Sequence, residues 1–128
     1  MKTFQSERDV KKEVKKLLTA HRYFWWMPPA HAFGKSNVDF NALRTGVFMA
    51  IETKFGRNRP TPLQIGYLNS VRAEDGFAFV VNEKSIEYLA QWLSAFDRAA
   101  MAAGKQQEVD PVDGSIMLNA IHVMTELL

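Results

Sequence analysis

Two carboxylates and one lysine between residues 38 and 54 have the residue types and the spacing of a catalytic cluster. Glu52 and Lys54 stand two residues apart at the end of an apolar, β-prone run, so on a strand they project from the same face. Asp39 opens an earlier apolar run, and a glycine-containing turn at residues 44–46 separates the two runs. A hairpin with this turn brings Asp39 back beside Glu52 and Lys54.

Such a cluster can bind a divalent metal ion and act on a phosphate. Two carboxylates, together with water and phosphate oxygens, can hold Mg²⁺, a hard cation that prefers oxygen ligands. The metal ion can activate water and offset charge on the scissile phosphate. A lysine beside it can stabilise the developing charge or help to deprotonate the water. The alternative is an Asp–Lys or Glu–Lys ion pair at the end of a sheet, and spacing alone leaves both interpretations open.

The order of these residues resembles the D…ExK pattern of the PD-(D/E)XK nucleases, with Asp39 before the predicted hairpin and Glu52-Thr53-Lys54 at its end. Further segments extend the resemblance, over about residues 7–82, to the VRR-NUC and phage Holliday-junction-resolvase-like branch. That branch has roughly the pattern E…G…D…(I/V)ExK…(S/T)PxQ. The matching segments here are Glu7, Gly34-Lys35-Ser36 and Pro60-Thr61-Pro62-Leu63-Gln64. Val38 stands where that branch commonly has a proline before the aspartate. This proline shapes the backbone and is not a metal ligand.

The resemblance implies a restriction-endonuclease-like core and a deoxyribonuclease that depends on Mg²⁺ or Mn²⁺. By this resemblance, the metal ligands are Asp39, Glu52 and the backbone carbonyl of Thr53. Lys54 positions or activates the water and stabilises charge in the transition state. A phage source is also implied, with the host cytoplasm as the place of action.

The resemblance assigns supporting roles to residues around this cluster. Glu7 would help to organise the metal site directly or through water; the alternative is a first-turn glutamate favoured by the helix dipole. Gln64 would border the active site, and the alternative is an ordinary first-turn glutamine. The residues expected to contact nucleic acid are Lys35, Ser36, Arg57 and Arg59, with His31 as a weaker candidate.

The charge distribution places most cations in the half that carries the motif. Residues 1–59 contain twelve Lys or Arg and five Asp or Glu, a net charge of +7, whereas residues 60–128 contain four and nine, a net charge of −5. A basic half suits a polyanionic partner such as DNA. The alternative is a solvated helix face, since five of the twelve cations are lysines within residues 2–16.

Composition excludes several other classes of site. The chain has no cysteine, which excludes disulfides and thiolate metal sites, and three scattered histidines argue against structural zinc. No apolar run approaches the roughly 20 residues of a membrane span, and the first twelve residues lack the apolar core of a signal peptide. We therefore expect a cytoplasmic protein without a membrane partner.

Apolar periodicity predicts an α/β domain with a central mixed sheet, built from a β-hairpin and a βαβ crossover and flanked by helices. The predicted helices run from Ser6 to about His21, from Thr61 to about Ala73 and from Ser85 to about Ala103. A short strand at residues 23–27 is expected to bury most of its aromatic rings rather than stack them on bases. Residues 77–81 are expected to form a buried strand. The inward side of the second helix is predicted to be Leu63, Tyr67, Leu68 and Val71.

The nuclease-like core is predicted to span residues 1–104. Residues 105–128 are predicted to form a linker and a C-terminal helix, which packs on the core or on a second subunit and so allows a homodimer. Without a separate sequence-reading domain, we expect structure-selective or non-specific cleavage of a junction, flap, duplex or single strand. Two other functions stay open: a catalytically idle nucleic-acid-binding module of the same fold, and a small assembly protein that uses its C-terminal helix as an interface.

Overall fold

A computed structural model describes residues 3–29 and 38–103. Within these residues the protein is a small α/β structure with three helices and a four-stranded mixed sheet of strand order β1-β2-β3-β4. The elements are α1 (Glu7–Ala20), β1 (Phe24–Trp26), β2 (Phe40–Arg44), β3 (Val47–Thr53), α2 (Pro62–Ala73), β4 (Phe77–Val81) and α3 (Ile86–Ala102). None of these helices is long and apolar enough to cross a membrane. The predicted linker and C-terminal helix of residues 105–128 lie outside the described residues.

Strands β2 and β3 form the predicted hairpin. They pair antiparallel, with Arg44 opposite Val47 and Phe40 opposite Ile51. Thr45 and Gly46 make the turn with φ of 50° and 81°, the left-handed pair whose twist matches that of the flanking strands. The turn thereby fixes the register of the whole hairpin, including the pairing at the end far from the turn.

The predicted βαβ crossover is also present. β3 leads through α2 into β4, and the two strands pair in parallel, with Thr53 opposite Val81. Thr61 caps α2 as predicted: its hydroxyl accepts from the Gln64 amide at 3.2 Å, and its own amide donates to Gln64 Oε1 at 2.9 Å. This capping box satisfies two backbone donors that the first turn of a helix leaves without partners.

The main core lies between the sheet and the helices α1 and α3. Helix α1 contributes an apolar stripe to this core, in which Val10, Val14 and Leu18 are fully buried. Helix α3 buries Leu89 and Leu93 against the same face. Trp92 of α3 covers β4, with ring contacts to Phe77 and Phe79. Burial of these side chains provides most of the driving force for folding.

Among the described residues, the opposite face of the sheet is covered by α2 alone, and only in part. Leu68 is buried there against Ala50 and Val38, but Leu63, predicted to point inward, is 62% exposed. Leu63 lies in the first turn of α2, and the helix reaches the sheet only from Tyr67 onward. The prediction of a fully buried β4 is also wrong, because β4 is an edge strand and Val80 projects from the partly covered face.

The aromatic run around β1 divides between the two faces. Tyr23 is buried, and Trp25 packs in the main core against Phe40. Phe24 is 69% exposed and Trp26 is 38% exposed on the other face. The expectation that most of these rings are buried is therefore only half right: side chains alternate along a strand, and α2 does not extend over β1.

At the turn end of the hairpin, a buried arginine joins three elements. Arg44 donates to the backbone oxygen of His21 at 2.6 Å and to the Asp97 carboxylate. Asp97 also bonds the His21 ring, and the Arg44 guanidinium lies over the Tyr23 ring at 5.7 Å. The network connects the end of α1, the end of β2 and α3. It therefore anchors the end of the hairpin opposite to the carboxylates.

The buried hydroxyl of Tyr23 allows a test of this packing. It has no hydrogen-bond partner among the described residues, and an unpaired buried polar group is destabilising. We expect Tyr23→Phe to raise the free energy of unfolding by about 1 kcal/mol, measured by urea denaturation at pH 7. The control is Tyr67→Phe, which removes the 3.0 Å bond from the Tyr67 hydroxyl to Asn41 and should lower stability by about 1 kcal/mol.

The effect of Tyr23→Phe on stability should also depend on pH. Burial raises the pKa of Tyr23 from 10.0 to about 12, so the folded protein holds this proton more tightly than the unfolded chain. The stability linked to this tighter proton binding is fully present below pH 10 and is lost as the pH rises toward 12. Tyr23→Phe should lack this component of alkaline destabilisation. Equal alkaline profiles for wild type and Tyr23→Phe would contradict the assignment.

Candidate functional site

The carboxylates of Asp39 and Glu52 lie together at the open end of the β2–β3 hairpin. The hairpin register places Asp39, the residue before β2, opposite Glu52 in β3. The Asp39 amide donates to Glu52 Oε1 at 3.1 Å. In turn, Asp39 Oδ2 accepts from the Thr53 amide at 3.0 Å and from the Thr53 hydroxyl. One oxygen of each carboxylate is therefore held by donors from the opposite strand, which fixes its orientation.

The second oxygen of each carboxylate contacts a lysine ammonium. Glu52 Oε2 lies 3.0 Å from Lys54 Nζ, and Asp39 Oδ1 lies 3.6 Å from Lys11 Nζ. Lys11 Nζ also lies 3.3 Å from Glu7 Oε2, one helical turn earlier on α1. The site thus contains three carboxylates and two ammonium groups, and the two lysines contact the oxygens that the backbone leaves available.

Burial makes the charge of Glu52 costly. The residue is only 2% exposed, and this burial, followed by the nearby Asp39 carboxylate, raises the pKa of Glu52 above its ordinary value, against the opposing effects of Lys54 and the Asp39 amide. Burial lowers the pKa of Lys11, but the Asp39 and Glu7 carboxylates raise it by more, so its pKa lies above the ordinary value. A buried carboxylate beside a second, partly buried one favours a nearby cation.

The structure brings together four of the predicted site residues: Asp39, Glu52, Thr53 and Lys54. The Lys54 amide donates to the Val81 oxygen at 2.9 Å, which continues the pairing of β3 with β4 and holds the backbone that carries the Lys54 side chain. The Thr53 carbonyl belongs to the last residue of β3. These four residues are therefore positioned by sheet pairing and not by a free loop.

The remaining predicted site residues do not contact the Asp39 and Glu52 carboxylates directly in the contacts described above, or lie outside the described residues. Glu7 is partly exposed and connects to Asp39 through Lys11. The side-chain oxygen of Gln64 accepts from the Thr61 amide in the capping box of α2. This is the ordinary first-turn role given above as the alternative. Arg57 and Arg59 are exposed in the segment between β3 and α2. The candidates Lys35, Ser36 and His31 lie outside the described residues.

Lys11 is the site residue that the sequence analysis missed. Its position four residues after Glu7 indicates an ion pair on one helix face. Its contact with Asp39, however, joins residues 28 positions apart and follows from the packing of α1 on the sheet. The sequence did contain a signal for this contact, because Lys11 directly follows Val10, which is buried. A residue next to the apolar stripe of a helix lies at the edge of the helix–sheet contact. The lysines at positions 12, 15 and 16 are exposed.

The donor set fits Mg²⁺ or Mn²⁺. Among residues 3–29 and 38–103, no group of three or more His, Cys, Asp or Glu side chains is arranged to hold a metal ion. Magnesium does not need such a group: it is commonly bound by one or two carboxylates and completes its octahedron with water and substrate phosphate. Asp39 Oδ1 and Glu52 Oε2 already contact cations. These two hard oxygens, with the Thr53 carbonyl, are the groups that could hold such an ion.

The charge balance of the site leads to a stability prediction. Lys54→Met leaves the Glu52 carboxylate buried beside Asp39 without its cation, and breaking a buried pair in this way costs about 3 kcal/mol or more of the free energy of unfolding. The double variant Glu52→Gln/Lys54→Met removes both charges and should regain most of this loss. Urea denaturation measures both values. Lys84→Met, at an exposed position, is the control, with an expected change within about 0.5 kcal/mol.

Comparison of the sequence with models of protein families and with curated proteins found no match. The function of the site must therefore be argued from its geometry and from the order of its residues. The geometry offers two oriented carboxylates and two lysines at one end of the sheet.

Proposed function

We propose that the protein is a metal-dependent nuclease that hydrolyses phosphodiester bonds in DNA. The observation that carries this proposal is the pairing of the Asp39 and Glu52 carboxylates across the hairpin, with Lys54 Nζ 3.0 Å from Glu52 Oε2. The order of these residues resembles that of the PD-(D/E)XK nucleases, in their VRR-NUC and phage-type branch. An antiparallel hairpin followed by a parallel crossover is also the core that this resemblance implies.

Asp39, Glu52 and the Thr53 carbonyl are the residues that would hold Mg²⁺ or Mn²⁺. The bound ion supplies charge to offset the phosphate and to favour ionisation of a water molecule. The chain's own contribution is preorganisation. Thr53 and the Asp39 amide fix one oxygen of each carboxylate, so little reorientation is needed when the site is loaded.

Lys54 acts on the phosphate. An ammonium group has three N–H donors, and its bond to Glu52 Oε2 uses one of them. The others can donate to a non-bridging phosphate oxygen as negative charge develops during attack by water. In the reaction, a bond forms from the water oxygen to phosphorus and the bond to the leaving sugar oxygen breaks. Donors held in place against the developing charge lower the barrier to this step.

Glu7 and Lys11 form the outer part of the site. Lys11 bridges Glu7 and Asp39, so it lowers the repulsion between the Asp39 and Glu52 carboxylates. Arg57 and Arg59, exposed just after Lys54 in the chain, are positioned in sequence to hold the phosphate backbone of DNA. Contacts of this kind position a substrate without reading its sequence, which agrees with structure-selective or non-specific cleavage.

The test is cleavage of a panel of labelled substrates (a four-way junction, a flap, a duplex and a single strand) with Mg²⁺, Mn²⁺ or a chelator. We expect cleavage that needs the metal ion and that falls by about 100-fold or more in Glu52→Gln and in Lys54→Met, since each removes a preorganised charge from the site. Glu74→Gln and Lys84→Met change exposed charges outside the cluster and should cut at the wild-type rate.

Two results would contradict the proposal. Cleavage that persists in the chelator, or in Glu52→Gln, would assign the activity to another site or to a contaminant. Binding of DNA without cleavage under any metal condition, unchanged by Lys54→Met, would favour the catalytically idle nucleic-acid-binding module.

A further inference from the structure

Two aromatic side chains are exposed on the sheet face that carries the carboxylates. Phe24 and Trp26, alternate residues of β1, lie with their ring centroids 5.5 Å apart, and Trp26 makes an edge contact with Phe48 at 6.2 Å. Leu43, opposite Phe24 in β2, is exposed beside them. We call Phe24, Trp26 and Leu43 the aromatic platform. It is not buried by α2, which lies over β3 and β4.

Strand register places the platform and the carboxylates on the same face of the sheet, and between them lies Asn41, which is 5% exposed and accepts a hydrogen bond from the Tyr67 hydroxyl of α2. Trp26 pairs with Asn41, and Asn41 is two residues from Asp39 on the same face of β2. On β3, Phe48 and Glu52 likewise project from one face, with Ala50 between them. From the spacing within and between strands, the Cα atoms of Trp26 and Asp39 are about 8 Å apart. This separation corresponds to about two nucleotides of a stacked strand.

The chemistry of this surface changes along its length. At one end lie the Lys11 and Lys54 ammonium groups with the carboxylates, which suit a phosphate and its metal ion. At the other end lie exposed aromatic rings, which suit the flat faces of nucleobases. Arg57 and Arg59, exposed in the segment just after Lys54, add positive charge near this end of the hairpin. A polyanion with planar apolar groups is complementary to both ends at once.

We propose that the aromatic platform binds unpaired bases of a DNA strand whose scissile phosphate lies at Asp39 and Glu52. This inference rests on the proposed nuclease function and names its substrate class. The bases of a closed duplex face each other and cannot lie flat on Phe24 and Trp26. The enzyme therefore selects single strands, or flaps and junctions with unpaired nucleotides next to the cleavage position.

The test measures binding of labelled oligothymidine and of a duplex of equal length, in chelator and at fixed low salt. The variant Phe24→Leu/Trp26→Leu keeps apolar side chains but removes both π faces. We expect it to lose about tenfold or more in affinity for the single strand, because each stacked base contributes appreciably to binding. Duplex affinity should stay within about twofold. The control is Tyr88→Leu, which removes a 73% exposed aromatic residue on α3 and should change neither affinity.

The outcomes separate this inference from the proposed function. Metal-dependent cleavage that is equally fast on single strand and duplex, and unchanged in the platform variant, overturns the inference and leaves the nuclease in place. Selective single-strand binding without cleavage supports the platform and removes the nuclease. Absence of DNA binding at low salt, both in chelator and with Mg²⁺, together with absence of cleavage, removes both.

Two other occupants of the platform predict different results. A second copy of the chain predicts a dimer by light scattering that Phe24→Leu/Trp26→Leu dissociates. Cover by the chain's own residues 104–128 predicts a large loss of stability in that variant with unchanged affinity for both DNAs. Either result overturns the inference.

Discussion

The site depends on one constraint, the register of the β2–β3 hairpin, which sets Asp39 opposite Glu52. Like charges directly opposite each other on neighbouring strands repel, and burial of Glu52 adds a desolvation cost. Most hairpins avoid this arrangement. Here it persists because Lys54 and Lys11 each neutralise one carboxylate and because Thr53 supplies hydrogen bonds to Asp39. The turn at Thr45 and Gly46, at the other end of the hairpin, is what fixes the pairing.

The rest of the fold holds that hairpin in place from both ends. At the turn end, Arg44 connects β2 to α1 and α3 through His21 and Asp97. At the carboxylate end, α1 presents Lys11 to Asp39. A single helix therefore contacts the hairpin near both of its ends, and its buried stripe sets the position of Lys11. A change in the packing of α1 would thus alter the charge balance of the site without changing any residue in it.

Local patterns predicted most of the fold and the centre of the site. The hairpin and the crossover follow from apolar periodicity and turn residues, and Asp39, Glu52 and Lys54 then meet because of register alone. The contacts that the sequence did not predict connect distant parts of the chain: Lys11 with Asp39, and Arg44 with Asp97. No local pattern encodes them, since they depend on how helices cross the sheet. Leu63 and Trp26 were misjudged for the same reason, because periodicity identifies an apolar face but not how far its partner extends.

The two faces of the sheet differ in how far helices cover them. The face toward α1 and α3 is closed by two helices, whereas in the described part of the chain the face that carries Glu52 is covered by α2 alone, from Tyr67 onward. Exposed aromatic rings such as Phe24 and Trp26 lose the stabilisation that burial would give them. A second helix on this face would recover that stabilisation but would also cover the surface beside the carboxylates. Within the described residues, the fold therefore leaves packing incomplete on the face for which we propose a DNA strand, and the rings that lose burial, Phe24 and Trp26, are those proposed to bind it.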